Sequence, residues 1–288
     1  MDEKIKILAE GARFHESLAS NWSACYESGG FRCRITFFES LLKKFAQPDD
    51  LWLDAGCGSG RLSRLIGLLG AQVVAVDGSP RMIENAQKES IDLCESGRIT
   101  YKLVDTIEIL DFESCSFDKI LCSSVIEYVE NPEKAIGELF RVIRPDGILV
   151  VSVPNRLSLI RLAQQIIRGV SQIFGKDYYQ YLSVSKNVYC LLNIRKLLKK
   201  NGFVVEAVER FDPILPVFMG RLSLGSLFII IARRPHSIGP TAISNDTDQM
   251  SMAVGVEARV PLLDWAVLTM ELWARRFIDQ PASYHPVV

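Results

Sequence analysis

The chain has few histidines, three in 288 residues, and its seven cysteines are dispersed. They stand at 25, 33, 57, 94, 115, 122 and 190, with no C-x-x-C pair and no histidine beside them. Structural metals and disulfide frameworks need clustered ligands, so neither is expected, and a reducing cytoplasm is the default setting. An excess of charge is also missing: 33 basic against 34 acidic residues leave a formal net charge of −1. No global field draws such a chain to nucleic acid. Its longest basic cluster, RKLLKK at 195–200, has the spacing of a solvated helix face. Long apolar runs are lacking too. The nearest approach, ILPVFMGRLSLGSLFIIIA, is interrupted by Arg221 and falls short of the roughly 20 apolar residues that cross a bilayer. The first twenty residues are charged and do not read as a secretory signal.

What is present is an alternation of apolar runs and amphipathic segments. Runs at 51–56, 71–77, 98–105, 116–129 and 148–154 predict five strands, and 203–211 and 226–234 predict two more. Between them lie helices at 61–70, stopped by Gly70, and at 79–97, opened by Ser79 as cap and Pro80 in the first turn. A third covers 131–147, from an Asn131-Pro132 start to a Pro-Asp-Gly turn, and a fourth 193–203. Strands joined through helices imply right-handed crossovers and a parallel sheet covered on both faces. The expectation is an α/β fold with a seven-stranded, mostly parallel sheet ending in an antiparallel hairpin. A segment at about 155–190 interrupts the alternation. From residue 236 the composition turns linker-like, so a boundary is placed between 1–235 and 236–288.

The first strand runs into LDAGCGSGRLS. Glycine admits positive φ and close approach of a ligand to the backbone, and the helix that follows presents free N–H groups. Alone such a turn is weak evidence. Its context is stronger: Asp77 ends the next strand, 17 residues past Gly60, where a carboxylate can accept both hydroxyls of a ribose. The spacing is G-x-G-x-G rather than G-x-G-x-x-G, and Asp54 in front would repel a pyrophosphate. A ligand with a positively charged amino group suits it better, which argues against a nicotinamide-dependent oxidoreductase.

LDAGCGSGRLS, VVAVDGSPRMIENAQ, the strand-ending LVD, FDKILCSSVIEYVENP and LFRVIRPDGILVVSVPN, in that order, resemble the class I S-adenosylmethionine-dependent methyltransferases. The resemblance covers about residues 14–234, implies a Rossmann-like sheet, and lies nearest the ubiquinone-biosynthesis O-methyltransferases and their small-molecule relatives. It implies that Gly56, Gly58 and Gly60 pass under the methionine part of S-adenosylmethionine, with Asp54 near its amino end. It implies Asp77 on the ribose, Met82 beside the adenine, Asp105 and Thr106 at the adenine edge, and Ser123 at the methyl end. Arg34 reaches the carboxylate on this reading, and is a solvated helix charge on the other. The related O-methyltransferases carry a Glu-His pair after the fourth strand, where this chain has Glu127-Tyr128. Glu127 is therefore the candidate base and Tyr128 a candidate acceptor contact; helix packing and a surface charge are the plainer readings. None of His15, His236 and His285 falls near this pair in the order of the motifs.

The acceptor is expected to be a small molecule, apolar or aromatic and hydroxylated. No motif for nucleic-acid methylation is present. In the interrupting segment Ile160, Ala163, Ile167, Val170 and Phe174 recur at helical spacing, followed by Tyr178, Tyr179 and Tyr181. A core-covering helix is one reading, and a lid over the acceptor, with 157–174 resting on a membrane surface, the other. The alternative to an enzyme is a partner protein that binds S-adenosylmethionine without turnover. Residues 245–277 resemble a fragment of asparagine synthetases, through Asp248, Ser251, Met252, Ala253, Glu257, Arg259, Pro261, Leu263 and Asp264. The nucleotide loop of those enzymes is absent, and Ser28-Gly29-Gly30 follows no strand, so the tail reads as a fusion remnant or docking segment beside a synthetase-like neighbour.

Overall fold

The computed structural model describes residues 10–25, 29–175, 178–212 and 225–236. Helices α1 (Glu10–Cys25) and α2 (Gly29–Phe45) precede β1 (Leu51–Ala55). Then follow α3 (Arg61–Leu68), β2 (Gln72–Asp77), α4 (Pro80–Lys88), α5 (Ile91–Glu95), β3 (Ile99–Leu103) and β4 (Phe117–Ser123). The chain continues through α6 (Pro132–Val142), β5 (Ile143–Pro154), α7 (Leu159–Ile173), α8 (Tyr181–Val184), α9 (Leu191–Lys200), β6 (Val204–Phe211) and β7 (Leu227–Arg233). The seven strands form one sheet in the order β3-β2-β1-β4-β5-β7-β6. Pairs from β3 through β5 are parallel, and β7 runs antiparallel to both β5 and β6. The order reverses at β1, so the crevice outside the carboxyl ends of β1 and β4 is the place where such sheets bind ligands.

Burial on both faces explains why the strands read as continuous apolar runs. Neighbours along a strand go to opposite layers. Ile120, Leu149 and Ile230 pack with Ile136, Leu139 and Leu198, while Leu121, Val150 and Ile229 pack with Trp52, Phe38 and Leu42. Each such aliphatic side chain contributes about 1.5–3 kcal/mol by leaving water.

The predicted caps form: Ser79 Oγ accepts from Met82 N at 3.2 Å and Asn131 Oδ1 from Lys134 N at 3.0 Å. Two boundaries differ from expectation. The helix expected over 79–97 breaks at Glu89–Ser90 into α4 and α5, and the Ser90 hydroxyl pairs with that of Tyr101 at 2.9 Å. The Pro-Asp-Gly turn does not terminate a helix. α6 ends at Val142, and residues 144–147 form an irregularity inside β5, with Asp146 at φ 62°. Pairing with β4 steps from Phe117–Ile143 to Lys119–Ile148 across it. A left-handed residue relieves the bend without ending the strand.

Candidate functional site

The glycine turn is built by the end of β2. Gly56 N and Cys57 N both donate to the Val76 carbonyl, at 2.8 and 2.9 Å, which swings the chain over the strand ends. Gly56, Gly58 and Gly60 take φ of 82°, 53° and 74°. A Cβ on Gly56 would stand 2.2 Å from Val125 Cγ2, and one on Gly60 2.4 Å from the Tyr101 hydroxyl. These two are packing glycines. At Gly58 the nearest atom is Trp22 Nε1 at 3.8 Å, so there the backbone lies open to a ligand.

Asp77 holds this turn. Its Oδ2 accepts from Gly58 N at 2.8 Å and its Oδ1 from Ser79 N at 2.9 Å. Burial raises its carboxyl above the ordinary range, against the pull of these bonds and of His15. Each oxygen has a second lone pair for a ribose hydroxyl. Asp54 is buried; Ser63 Oγ donates to its Oδ2 at 2.6 Å, and burial pushes the carboxyl up to about 7. Around neutrality it is therefore part neutral, and the hydroxyl of Ser63 takes up one oxygen. Met82, on the inner face of α4, is fully buried. Asp105 is exposed and Thr106 Oγ1 accepts from Glu108 N at 3.1 Å, in the loop beside Gly78.

At the end of β4 the Arg34 guanidinium donates to Ser123 Oγ at 2.7 Å and Ser124 Oγ at 2.9 Å. Arg34 is thus committed to the strand end and is no solvated helix charge. Ser124, at φ 56°, begins the turn that carries Glu127 and Tyr128. Glu127 is no surface charge either: it is 5% exposed, its Oε2 has no hydrogen-bond partner, and no helix contains it. Burial raises its carboxyl to about 7, opposed chiefly by Arg34 and Arg161. Tyr128 is pushed far above the usual phenol range, by burial first and then by Glu127.

The interrupting segment reaches this turn. Asn187 donates from its backbone to the Glu127 carbonyl at 3.1 Å and from its side chain to those of Ile126 and Val129 at 3.2 and 2.9 Å. Arg161, on α7, donates to Ser185 Oγ at 2.7 Å and stacks on Tyr181, whose hydroxyl donates to Gln164 Oε1 at 2.5 Å. Arg161 Nε and the Tyr189 hydroxyl are buried without partners. Three buried polar atoms near this turn, Glu127 Oε2, Arg161 Nε and the Tyr189 hydroxyl, thus have no protein partner and are open to water or to a ligand. Of the predicted stripe on α7, Ile160, Ala163 and Ile167 are partly buried while Val170 and Phe174 are more than half exposed, as are Leu162, Ile166 and Ile173 on the other faces.

One element of the site was missed in the sequence. Helix α1 lies across the ligand crevice, and His15, placed far from the site by motif order, sits in it. Its ring meets Tyr128 edge-on at 5.0 Å and Trp22 at 5.2 Å. A Cβ on Gly11 would stand 2.7 Å from Tyr128 Cβ, and Ala12 meets Gly78. Buried Glu16 accepts from Ser79 Oγ at 2.5 Å and Arg81 N at 3.0 Å, capping α4. The signal was there: Gly11, His15, Ala19 and Trp22 recur at i, i+4, i+8 and i+11, a helix face of small residues and rings.

A glycine turn at the switch point of such a sheet, tied to an acid ending β2, is the architecture of a nucleoside-binding α/β domain. Comparison with known proteins specifies it further. Residues 53–151 match the family described as a methyltransferase domain. The ubiquinone biosynthesis O-methyltransferase of Schizosaccharomyces pombe is 40% identical over 124 residues, covering 41% of this chain and 44% of that protein. The mouse enzyme of the same description is 32% identical over 162 residues, covering 54% of this chain and 42% of its own. The chain thus spans less than half the length of these relatives. A solved S-adenosylmethionine-dependent methyltransferase from Thermotoga maritima shares the fold, with a TM-score of 0.58 at 19% identity over 78% of this chain and all of that one. Residues 53–151 are accordingly similar to methyltransferase domains, and the sheet has the fold of a solved S-adenosylmethionine-dependent methyltransferase. Residues 230–272 also match the asparagine synthase family, a short partial match. The tail residues singled out above, Asp248 to Asp264, lie outside the described residues.

The residues fit S-adenosylmethionine. Gly58 is open where a Cβ would obstruct a ligand, each Asp77 oxygen keeps a lone pair that a ribose hydroxyl could use, and Ser123 with Arg34 lies at the end of β4. Among the described residues no group of three or more His, Cys, Asp or Glu is arranged to hold a metal ion.

Proposed function

We propose that the protein transfers a methyl group from S-adenosylmethionine to the hydroxyl of a small apolar or aromatic acceptor. The observation that carries this reading is the adjacency of two half-sites at the strand ends. The Gly58–Asp77 turn offers backbone and carboxylate to a nucleoside, and the Glu127 turn beside it is roofed by Arg161 and Tyr181. The sulfonium cofactor supplies an activated methyl group, so the protein's share is to align two reactants and exclude water. Asp77 and the turn would fix the ribose, while Met82 of α4 would flank the adenine and Asp105 with Thr106 would border its edge. Arg34, Ser123 and the buried Asp54 would surround the amino-acid end. Tyr128, Tyr181 and the inner face of α7 would form the acceptor chamber.

The similarity to ubiquinone biosynthesis O-methyltransferases supports a hydroxyl acceptor. The exposed apolar residues of α7 support its contact with an apolar surface, such as the membrane face from which an apolar acceptor is drawn. We place the working domain within 1–235, read 236–288 as a fusion remnant, and assign the protein to the cytoplasm. Calorimetric titration with S-adenosylmethionine tests the reading, with NAD and the Asp77→Ala variant as controls. Micromolar binding of S-adenosylmethionine alone, lost in the variant, supports it. A folded protein that binds none refutes it.

A further inference from the structure

Methylating a hydroxyl requires somewhere for its proton to go, and the groups facing the crevice differ in fitness for that task. Tyr128 holds its proton far above neutrality. Burial raises the Glu127 carboxyl to about 7 against the pull of Arg34 and Arg161, so it is part protonated at neutrality, and both oxygens of Asp77 serve backbone N–H groups. His15 is different. Its Nδ1 lies 2.8 Å from the Gly11 carbonyl of its own helix. A carbonyl only accepts, so Nδ1 carries the hydrogen and Nε2 the lone pair. The ring is clamped edge-on between Tyr128 and Trp22, and Asp77 from the end of β2 is the charged group acting on it directly. Beyond Tyr128 stand Glu127, Arg34 from α2, Arg161 from α7 and Tyr181 from α8. Burial holds the imidazole below its ordinary 6.5, so it is neutral at pH 7.

We infer that His15 is the general base, carried by α1 to the junction of the cofactor and acceptor half-sites. This rests on the methyl-transfer reading. The acceptor O–H proton passes to Nε2 as the oxygen pair forms the O–CH3 bond. The S–CH3 bond breaks with its pair kept on sulfur, leaving S-adenosylhomocysteine, and the imidazolium returns its proton to water.

The test needs no acceptor. S-adenosylmethionine and S-adenosylhomocysteine differ by a methyl group and one positive charge on sulfur. In the full-length protein with 13C-labelled histidine, pH titration by NMR reads all three imidazoles in each complex, and His15→Gln identifies the His15 signal by its loss. A base facing the methyl group titrates at a pH about one unit lower with the sulfonium than with the thioether, from the Coulomb field of one charge at contact range. Equal titration in the two complexes overturns the inference and leaves the methyl-transfer reading standing. Absence of binding by either ligand defeats that reading, and the inference with it. In an assay of transfer to catechol, His15→Gln lowers kcat about 10²-fold with cofactor affinity unchanged, and added imidazole restores part of it. An unaltered kcat overturns the inference.

Discussion

Asp77 Oδ2 accepts the Gly58 N–H at 2.8 Å, so the acid that ends β2 also sets the shape of the turn after β1. One carboxylate thereby has two tasks, ordering the turn and receiving a nucleoside. Charge-assisted hydrogen bonds contribute about 1.5–3 kcal/mol each, and roughly 1.4 kcal/mol is tenfold in affinity. Asp77→Asn keeps an oxygen for one backbone partner and is expected to weaken S-adenosylmethionine binding about tenfold. Asp77→Ala, which frees both the Gly58 and Ser79 N–H groups, is expected to weaken it about 100-fold. Calorimetry checks the order; equal affinities in the two variants would mean that the carboxylate serves the turn alone.

The three glycines of the turn separate stability from binding. Gly56→Ala and Gly60→Ala each add a Cβ at φ of 82° and 74°, driven against Val125 and Tyr101. Left-handed strain and overpacking together cost about 2–5 kcal/mol. Gly58→Ala meets only strain, about 1–2 kcal/mol. Thermal melting should rank Gly58→Ala as the mildest of the three, while calorimetry finds its cofactor affinity lost. Retained affinity in folded Gly58→Ala would mean that the ligand does not approach the backbone there.

Glu127 gives the pH dependence of stability a definite sign. Its folded carboxyl titrates at about 7 against an ordinary 4.5, because burial disfavours the charge. The folded state then binds more protons than the unfolded one between those values, so stability falls as pH rises through that window. Glu127→Gln removes the cost, stabilising the protein by about 1–3 kcal/mol at pH 8 and by almost nothing near pH 4.5. Melting temperatures of both proteins across this range decide it. A difference that does not grow with pH would show Glu127 to be charged and paired in the native state.

The seven strands, their mostly parallel sheet and the glycine turn were legible because their signals are local. A cap sits three residues from its partner and an apolar run marks its own strand, as at Ser79–Met82 and in the ILCS end of β4. Asp77 was legible for the same reason, being fixed at a strand end. The roof was not. His15 and Tyr128 are 113 residues apart in sequence, and nothing in the spacing of either helix or turn says that they meet. The stripe on α7 was found, but periodicity cannot say which face turns inward. Arg161 and Gln164 face Ser185 and Tyr181, Ile160 and Ile167 are partly buried, and Leu162, Ile166, Ile173 and Phe174 face out.

The domain closes on itself at the far end of β7. Arg234 N donates to the Gly147 carbonyl at 3.0 Å, and the Arg234 guanidinium donates to the carbonyls of Phe140 at 2.8 Å and Ile143 at 2.6 Å while lying 4.6 Å above the Phe140 ring. His236 adds a bond from Nδ1 to Asp146 Oδ2 at 3.0 Å on the exposed rim. These contacts bind the last strand to α6 and to the bend of β5 before residue 237. A chain ending at His236 is therefore expected to melt with the full-length protein and to bind S-adenosylmethionine equally well. The asparagine synthase match begins at residue 230, inside β7, so shortening the chain further, to residue 229, should instead abolish folding. Melting curves and titrations of the two truncations test this. Loss of binding in the longer one would make residues 237–288 part of the working domain rather than a remnant.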